Sequence, residues 1–94
     1  MDALFRELLR TLSQAQLAVQ DELASLMRQP SRDGDHLSRL AKQVSEFSVQ
    51  ADGLLVMMLE RSARVELVDT AETLVDFFHD TVDQLTEQIR ASAG

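Results

Sequence analysis

Apolar residues recur along this chain at steps of three and four, and this spacing constrains the fold more than any other feature. Side chains at such steps share one face of an α-helix, so each run predicts an amphipathic helix. The first run predicts a helix over about residues 3–29, roughly 40 Å long at 1.5 Å per residue. Its members are Phe5, Leu8, Leu12, Ala15, Val19, Leu23 and Leu26.

A turn is predicted over residues 30–35, which contain Pro30, Gly34 and two aspartates suited to cap a helix. Proline and glycine both interrupt helices, so the chain must change direction there. Further helices are predicted over about residues 36–61 and 64–91. The second stripe consists of Leu37, Leu40, Val44, Phe47, Ala51, Leu54 and Met58, and the third of Ala71, Val75, Phe78, Val82, Leu85 and Ile89.

The link between the second and third stripes leaves two folds open. Continuing the second stripe by sevens from Met58 leads to Glu72, whereas the third stripe uses Ala71, so the register slips by one residue. The slip indicates either a turn near residues 60–65, where Ser62 is suited to cap a new helix, or overwinding of one long helix. We predict a single all-α domain of 94 residues. It is an antiparallel three-helix bundle, which the equal segment lengths favour, or a helical hairpin with an extended second arm.

Composition excludes several classes of protein. The chain has no cysteine, which excludes disulfide scaffolds and cysteine-based metal or thiol chemistry. It has no basic patch with interleaved aromatic residues, so direct binding to nucleic acid is not expected. The longest apolar run, residues 54–59, is too short to span a membrane. Because no signal peptide is recognisable, we expect a cytoplasmic protein, although leaderless export would leave the same pattern.

The apolar run at residues 54–59 predicts a protein-binding surface. A helix that is apolar on every side must be covered on every side, either by the other helices or by a second subunit. Gly53 costs about 1 kcal/mol relative to alanine in a helix interior, and we expect close approach of another helix there. The predicted partner-binding residues are Val49, Gly53, Leu54, Leu55, Val56, Met57, Met58 and Leu59.

Negative charge is concentrated in the last third of the chain. Residues 1–64 have nine acidic and eight basic residues, whereas residues 65–94 have seven acidic and one basic, so −6 of the net −7 lies there. This acidic face is either a solvated outer surface or one that attracts a basic partner. A third interpretation is that the chain imitates a phosphate backbone and so blocks a nucleic-acid-binding protein. The acidic face consists of Asp69, Asp76, Asp80, Asp83 and Glu87.

No pattern in the chain indicates catalysis. Asp76 and His79 have the i, i+3 spacing found in di-iron bundles, but such sites need two of these pairs and further inward carboxylates. His36 follows Asp35 in the context of a helix cap. Because no serine has a usable base and no glycine-rich loop is present, we predict no enzymatic activity, no cofactor and no metal.

A Pro-Ser turn, two spaced leucines and a Ser-Glu-aromatic-Ser stretch follow one another in the first two segments. These are Gln29-Pro30-Ser31, then Leu37 and Leu40, then Val44-Ser45-Glu46-Phe47-Ser48. Over about residues 15–65 the pattern resembles the needle and inner-rod subunits of bacterial type III secretion systems. The resemblance implies a helical hairpin, without catalytic residues, that packs against copies of itself or a secretion partner. Needle-type chains end soon after the second helix, so the acidic last segment suits the small helical chaperones of these systems better.

The sequence as a whole predicts a non-enzymatic, coiled-coil-like interaction protein. It would bury residues 54–59 and the first apolar stripe, and bind another protein chain by helix-in-groove packing as a homo-oligomer or a hetero-complex. The two alternatives are an acidic inhibitor acting through the third helix and a carboxylate–histidine metal protein.

Overall fold

The computed structural model describes residues 2–28 and 34–93, which form three α-helices and, within these ranges, no strand. Helix α1 spans Asp2–Arg28, α2 spans Gly34–Glu60 and α3 spans Val65–Ala93. The all-α prediction is confirmed, and of the two predicted folds the chain adopts the three-helix bundle. Each helix needs the others because a single amphipathic helix cannot bury its own apolar face.

The observed helix ends lie one or two residues from the predicted ones. The predicted turn over residues 30–35 is wrong at its end, because Gly34 and Asp35 already belong to the first turn of α2. The Asp35 carboxylate there lies at the positive end of the helix dipole, which favours this start. The rest of that turn, with Pro30 and Asp33, lies outside the described residues.

Helix α2 ends in a Schellman motif centred on Ser62. The Ala63 N–H donates to the Met58 carbonyl at 2.9 Å, and the Ser62 N–H donates to the Leu59 carbonyl at 3.3 Å. Ser62 has a φ of 53°, the left-handed conformation that this motif requires and that glycine usually provides. The prediction that Ser62 caps the start of α3 was therefore wrong, since Ser62 closes α2 and α3 begins at Val65.

One face of each helix forms the core. The turn at Ser62 accounts for the one-residue slip between the apolar stripes, because a new helix with its own register begins after it. The buried apolar residues are Phe5, Leu9, Leu12, Val19 and Leu26 from α1, Leu37, Leu40, Val44, Ala51, Leu54 and Met58 from α2, and Leu67, Ala71, Leu74, Phe78 and Leu85 from α3.

The buried face differs from the predicted stripes in two places. On α1, Leu9 is buried while Leu8, a member of the predicted stripe, is exposed. On α3, Leu74 and Thr81 are buried, whereas Val75, a member of the predicted stripe, is only half-buried. The buried face of α3 therefore lies to one side of the predicted stripe. The Thr81 hydroxyl donates to the Phe77 carbonyl at 2.7 Å, which satisfies this polar group inside the core.

The three helices run up, down and up within an elongated body of 46 × 20 × 16 Å. Helices α2 and α3 approach each other most closely, and α1 packs less closely against both. The rings of Phe47 and Phe78 lie 5.7 Å apart between α2 and α3. Arg64 forms a 3.0 Å ion pair with Asp2, which holds the start of α1 beside the α2–α3 turn. A groove therefore remains between α1 and α2, on the side away from α3.

Candidate functional site

The eight predicted partner-binding residues separate into a buried and an exposed group. Leu54 and Met58 are buried in the core and Leu55 is half-buried, so three helices of one chain cover only part of the 54–59 run. The exposed members are Val49, Gly53, Val56, Met57 and Leu59. Of the two predicted ways to cover this run, complete coverage by the chain's own helices does not occur. Val49 is 71% exposed and Val56 is 53% exposed, which is unusual for large apolar side chains.

Helical geometry explains the separation. Core positions on α2 follow Val44, Ala51 and Met58 at intervals of seven, which keeps one face toward the bundle. Val49, Gly53 and Val56 follow one another at steps of four and three, and this second line points away from the bundle. A continuous apolar run must occupy both faces, so some of its side chains reach solvent.

An apolar groove of about 420 Å³ lies between α1 and α2. The lining residues are Leu8, Thr11, Leu12, Gln50, Gly53, Leu54 and Met57. Gly53 is open, because a Cβ atom added there would meet nothing within 4 Å. The close helix approach predicted at Gly53 therefore does not occur within the chain. We call the groove together with Val49 and Val56 the α1/α2 face.

The α1/α2 face continues toward the start of α1. Leu4 is exposed and lies one turn before Leu8, at the i, i+4 spacing that puts both residues on the same side of the helix. The sequence analysis did not single out Leu4, and it assigned Leu8 to the core. The available signal was the doubled pair Leu8-Leu9, of which only one member can lie on the buried stripe.

Charged side chains are nearly absent from the middle of the α1/α2 face. Residues 11–20 of α1 contain no charged residue, and residues 47–59 of α2 contain only Asp52. The Asp52 carboxylate is turned toward α3, where its oxygens lie 3.0 and 3.1 Å from Nε2 of His79. A surface with exposed apolar side chains and few charges has the composition of an interface core.

Two histidine–carboxylate pairs join neighbouring helices. Nε2 of His36 lies 2.6 Å from Oε1 of Glu22 and links the first half of α2 to the second half of α1, outside the groove. His79 links α3 to α2 through Asp52, and this hydrogen bond raises the pKa of His79 above its ordinary value. The charge of Asp52 contributes next, with smaller contributions from Asp83 and Asp76 on α3.

The metal-site alternative gains no support from this geometry. His79 is bonded to Asp52 on α2, and Asp76, the residue at its i, i+3 position, acts on it only through charge. Within residues 2–28 and 34–93, no group of three or more histidine, aspartate or glutamate side chains is arranged to hold a metal ion. The sequence analysis missed the Asp52–His79 pair. The sequence did contain an indication of this pair. Asp52 directly follows the core residue Ala51, and His79 directly follows the core residue Phe78, so both lie at the edge of a buried face.

The acidic face lies on the outside of α3, opposite the α1/α2 face. All five carboxylates are exposed and occupy the side of α3 that is turned away from buried residues such as Ala71 and Phe78. Glu87 lies 3.2 Å from Arg90, an exposed ion pair of small energetic value. The molecule therefore has an apolar side, formed by α1 and α2, and an anionic side, formed by α3.

Comparison with known proteins finds no matching family model, no matching curated protein and no matching solved structure. Within the described residues, no helix is both long enough and apolar enough to cross a membrane.

Proposed function

We propose that this chain is a non-enzymatic helical protein that binds another protein chain through its α1/α2 face. The observation that carries the proposal is the exposure of Val49, Val56 and Met57 beside an open apolar groove. Exposed apolar surface next to a groove costs free energy in water, and a bound helix would remove it from water. The role is assembly or chaperoning in the cytoplasm, and the type III secretion resemblance makes a secretion subunit or its chaperone the first system to test.

The proposal is tested with a tagged chain expressed in its native cell together with an untagged copy. We expect Val56→Glu to remove the chains that co-purify with the wild type, because a buried unpaired carboxylate weakens an interface strongly. Val65→Glu is the matched control, since Val65 is 71% exposed and lies at the start of α3, away from the α1/α2 face. Co-purification that survives Val56→Glu unchanged would reject the proposal.

The second candidate is an acidic inhibitor of a nucleic-acid-binding protein. The observation that favours it is the outward row of carboxylates at 76, 80, 83 and 87 on α3. Their spacings of three and four residues correspond to about 4.5–6 Å along the helix axis, so they form a regular row of negative charges, as phosphates do along a nucleic-acid strand. Changing Asp76, Asp80 and Asp83 to lysine should then abolish capture of a basic partner, and retained capture would exclude this function.

A further inference from the structure

We propose that the partner of the α1/α2 face is a second copy of this chain, with the two α2 helices packed antiparallel across a two-fold axis. This inference rests on the proposed function, because it names the occupant of the same face. Three properties of the described residues support it: the charge-free centre of the face, the order of side chains along the outside of α2, and the position of the acidic face.

The charge-free centre of the face requires a partner that is equally free of charge. Any cation or anion placed against residues 11–20 or 47–55 would lose water without gaining an opposite charge, since Asp52 is already bonded to His79. Residues 47–55 of a second copy meet this requirement when they pack against the same residues of the first. Interface cores that are apolar and depleted in charge are typical of homodimers.

The outer line of α2 is complementary to itself when two copies run antiparallel. Exposed side chains follow this line in the order Lys42, Glu46, Val49, Gly53, Val56 and Glu60. Lys42 and Glu60 are separated by five helical turns, or about 27 Å. Antiparallel helices that cross near residue 51 place Lys42 of each copy beside Glu60 of the other. The same crossing places Val49 of one copy beside Gly53 of the other, and Glu46 beside Val56 at the edge of the contact.

Gly53 is suited to this crossing. It has no side chain, and nothing from its own chain lies within 4 Å of its Cβ direction, so a second helix can approach the backbone closely. A glycine in the interior of a helix is unfavourable on its own, which indicates that the position has another use.

The acidic face also favours this arrangement. Residues 1–64 carry a net charge of −1, whereas residues 65–94 carry −6. A dimer through α1 and α2 places both acidic α3 faces on its two outer sides, where water and salt screen their repulsion. Contact through α3 would bring the two anionic surfaces together.

Molar mass in solution tests the inference directly. Sedimentation equilibrium of the wild-type chain should give twice 10.5 kDa at high concentration, with dissociation on dilution. Val56→Glu should raise the dimer dissociation constant about 100-fold or more, because two-fold symmetry introduces the charge twice. Val65→Glu should leave the dissociation constant unchanged. A wild-type chain of monomer mass at every concentration, or a dimer unaffected by Val56→Glu, would overturn the inference.

Charge reversal tests the antiparallel arrangement. Lys42→Glu and Glu60→Lys should each raise the dissociation constant about fivefold, as expected for an exposed ion pair that occurs twice. The double variant restores both pairs in exchanged positions and should return to near the wild-type value. A double variant weaker than either single one would contradict the antiparallel crossing.

The second-copy inference and the proposed function fail in different ways. If the wild type is monomeric and a different chain co-purifies with it in a manner that requires Val56, only the second copy is rejected. If Val56→Glu changes neither mass nor co-purification, the α1/α2 face is not a binding surface and both are rejected. Circular dichroism of each variant verifies the helical fold, which should persist because Lys42, Val56 and Glu60 are all exposed.

Discussion

Nε2 of His79 on α3 lies 3.0 Å from Oδ1 of Asp52 on α2, and this pair joins the two most closely packed helices at their surface. The hydrogen bond to Asp52 and the charge of Asp52 raise the pKa of His79 above its ordinary value of 6.5. Desolvation of the His79 ring lowers this pKa and so opposes the shift, whereas the charges of Asp83 and Asp76 raise it.

The His79 pair predicts a pH dependence of stability. Because the pKa of His79 is higher in the folded chain than in the unfolded one, its contribution is fully present below pH 6.5 and is lost as pH rises through the folded-state pKa. His79→Gln should flatten the dependence of the unfolding free energy on pH in the range just above 6.5. Urea unfolding at several pH values measures this, with NMR titration of His79 as the direct reading.

Asp52→Asn is the matched variant for that titration. It removes the charge and the charged hydrogen bond while keeping the size of the side chain, so the pKa of His79 should fall toward its ordinary value. A His79 pKa that does not change with Asp52→Asn would mean that the pair does not form in solution.

Ser62 predicts a stabilising substitution. Its φ of 53° is unfavourable for a residue with a Cβ atom and is readily adopted by glycine. Ser62→Gly should increase stability by about 0.5–1 kcal/mol and raise Tm by a few degrees. Ser45→Gly, at an exposed position inside α2, should lower stability by a similar amount, because glycine is unfavourable in a helix interior. Thermal unfolding that gives both changes the same sign would refute the Schellman assignment.

Replacing either of two adjacent phenylalanines by alanine should lower the stability of the fold by unequal amounts. Phe78 is fully buried between the helices, whereas Phe77 is half-buried beside it. Phe78→Ala should cost about 3–5 kcal/mol, enough to unfold much of a small domain, and Phe77→Ala should cost clearly less. Denaturant unfolding followed by circular dichroism distinguishes them. Equal losses would mean that the register of α3 is not the one described.

Gly53 predicts opposite effects on stability and association. Alanine has room at this position, so Gly53→Ala should stabilise the isolated chain by about 1 kcal/mol. If a second helix crosses there, the same methyl group should weaken association. Unfolding at low protein concentration measures the first effect, and sedimentation at high concentration measures the second. Gly53→Ala with tighter or unchanged association would contradict a helix crossing at residue 53.

Helical periodicity was sufficient to predict much of this fold and part of the candidate site. The spacing of residues such as Leu12 and Leu40 determines which face of a helix is apolar, and burial follows from that face. The spacing does not determine which of Leu8 and Leu9 becomes the core residue, because adjacent positions differ by only 100° around the helix.

The Asp52–His79 pair and the turn at Ser62 depend on how separate helices meet. A serine in the left-handed conformation has no distinct sequence pattern, since glycine usually occupies that position. From the sequence, residues 54–59 had to be covered either by the chain's own helices or by a second subunit, and the sequence did not decide between the two. The choice depended on how closely α1 packs against α2, which periodicity along one helix does not describe.

The central claim is that the α1/α2 face binds a protein chain, and photo-crosslinking in the native cell tests it most directly. A photoreactive residue is placed at Met57, which lines the groove, or at Asp76, which lies on the opposite side. We predict covalent adducts from position 57 and none from position 76. An adduct of twice the mass of the chain would identify the second copy. Adducts from position 76, with none from position 57, would contradict the claim.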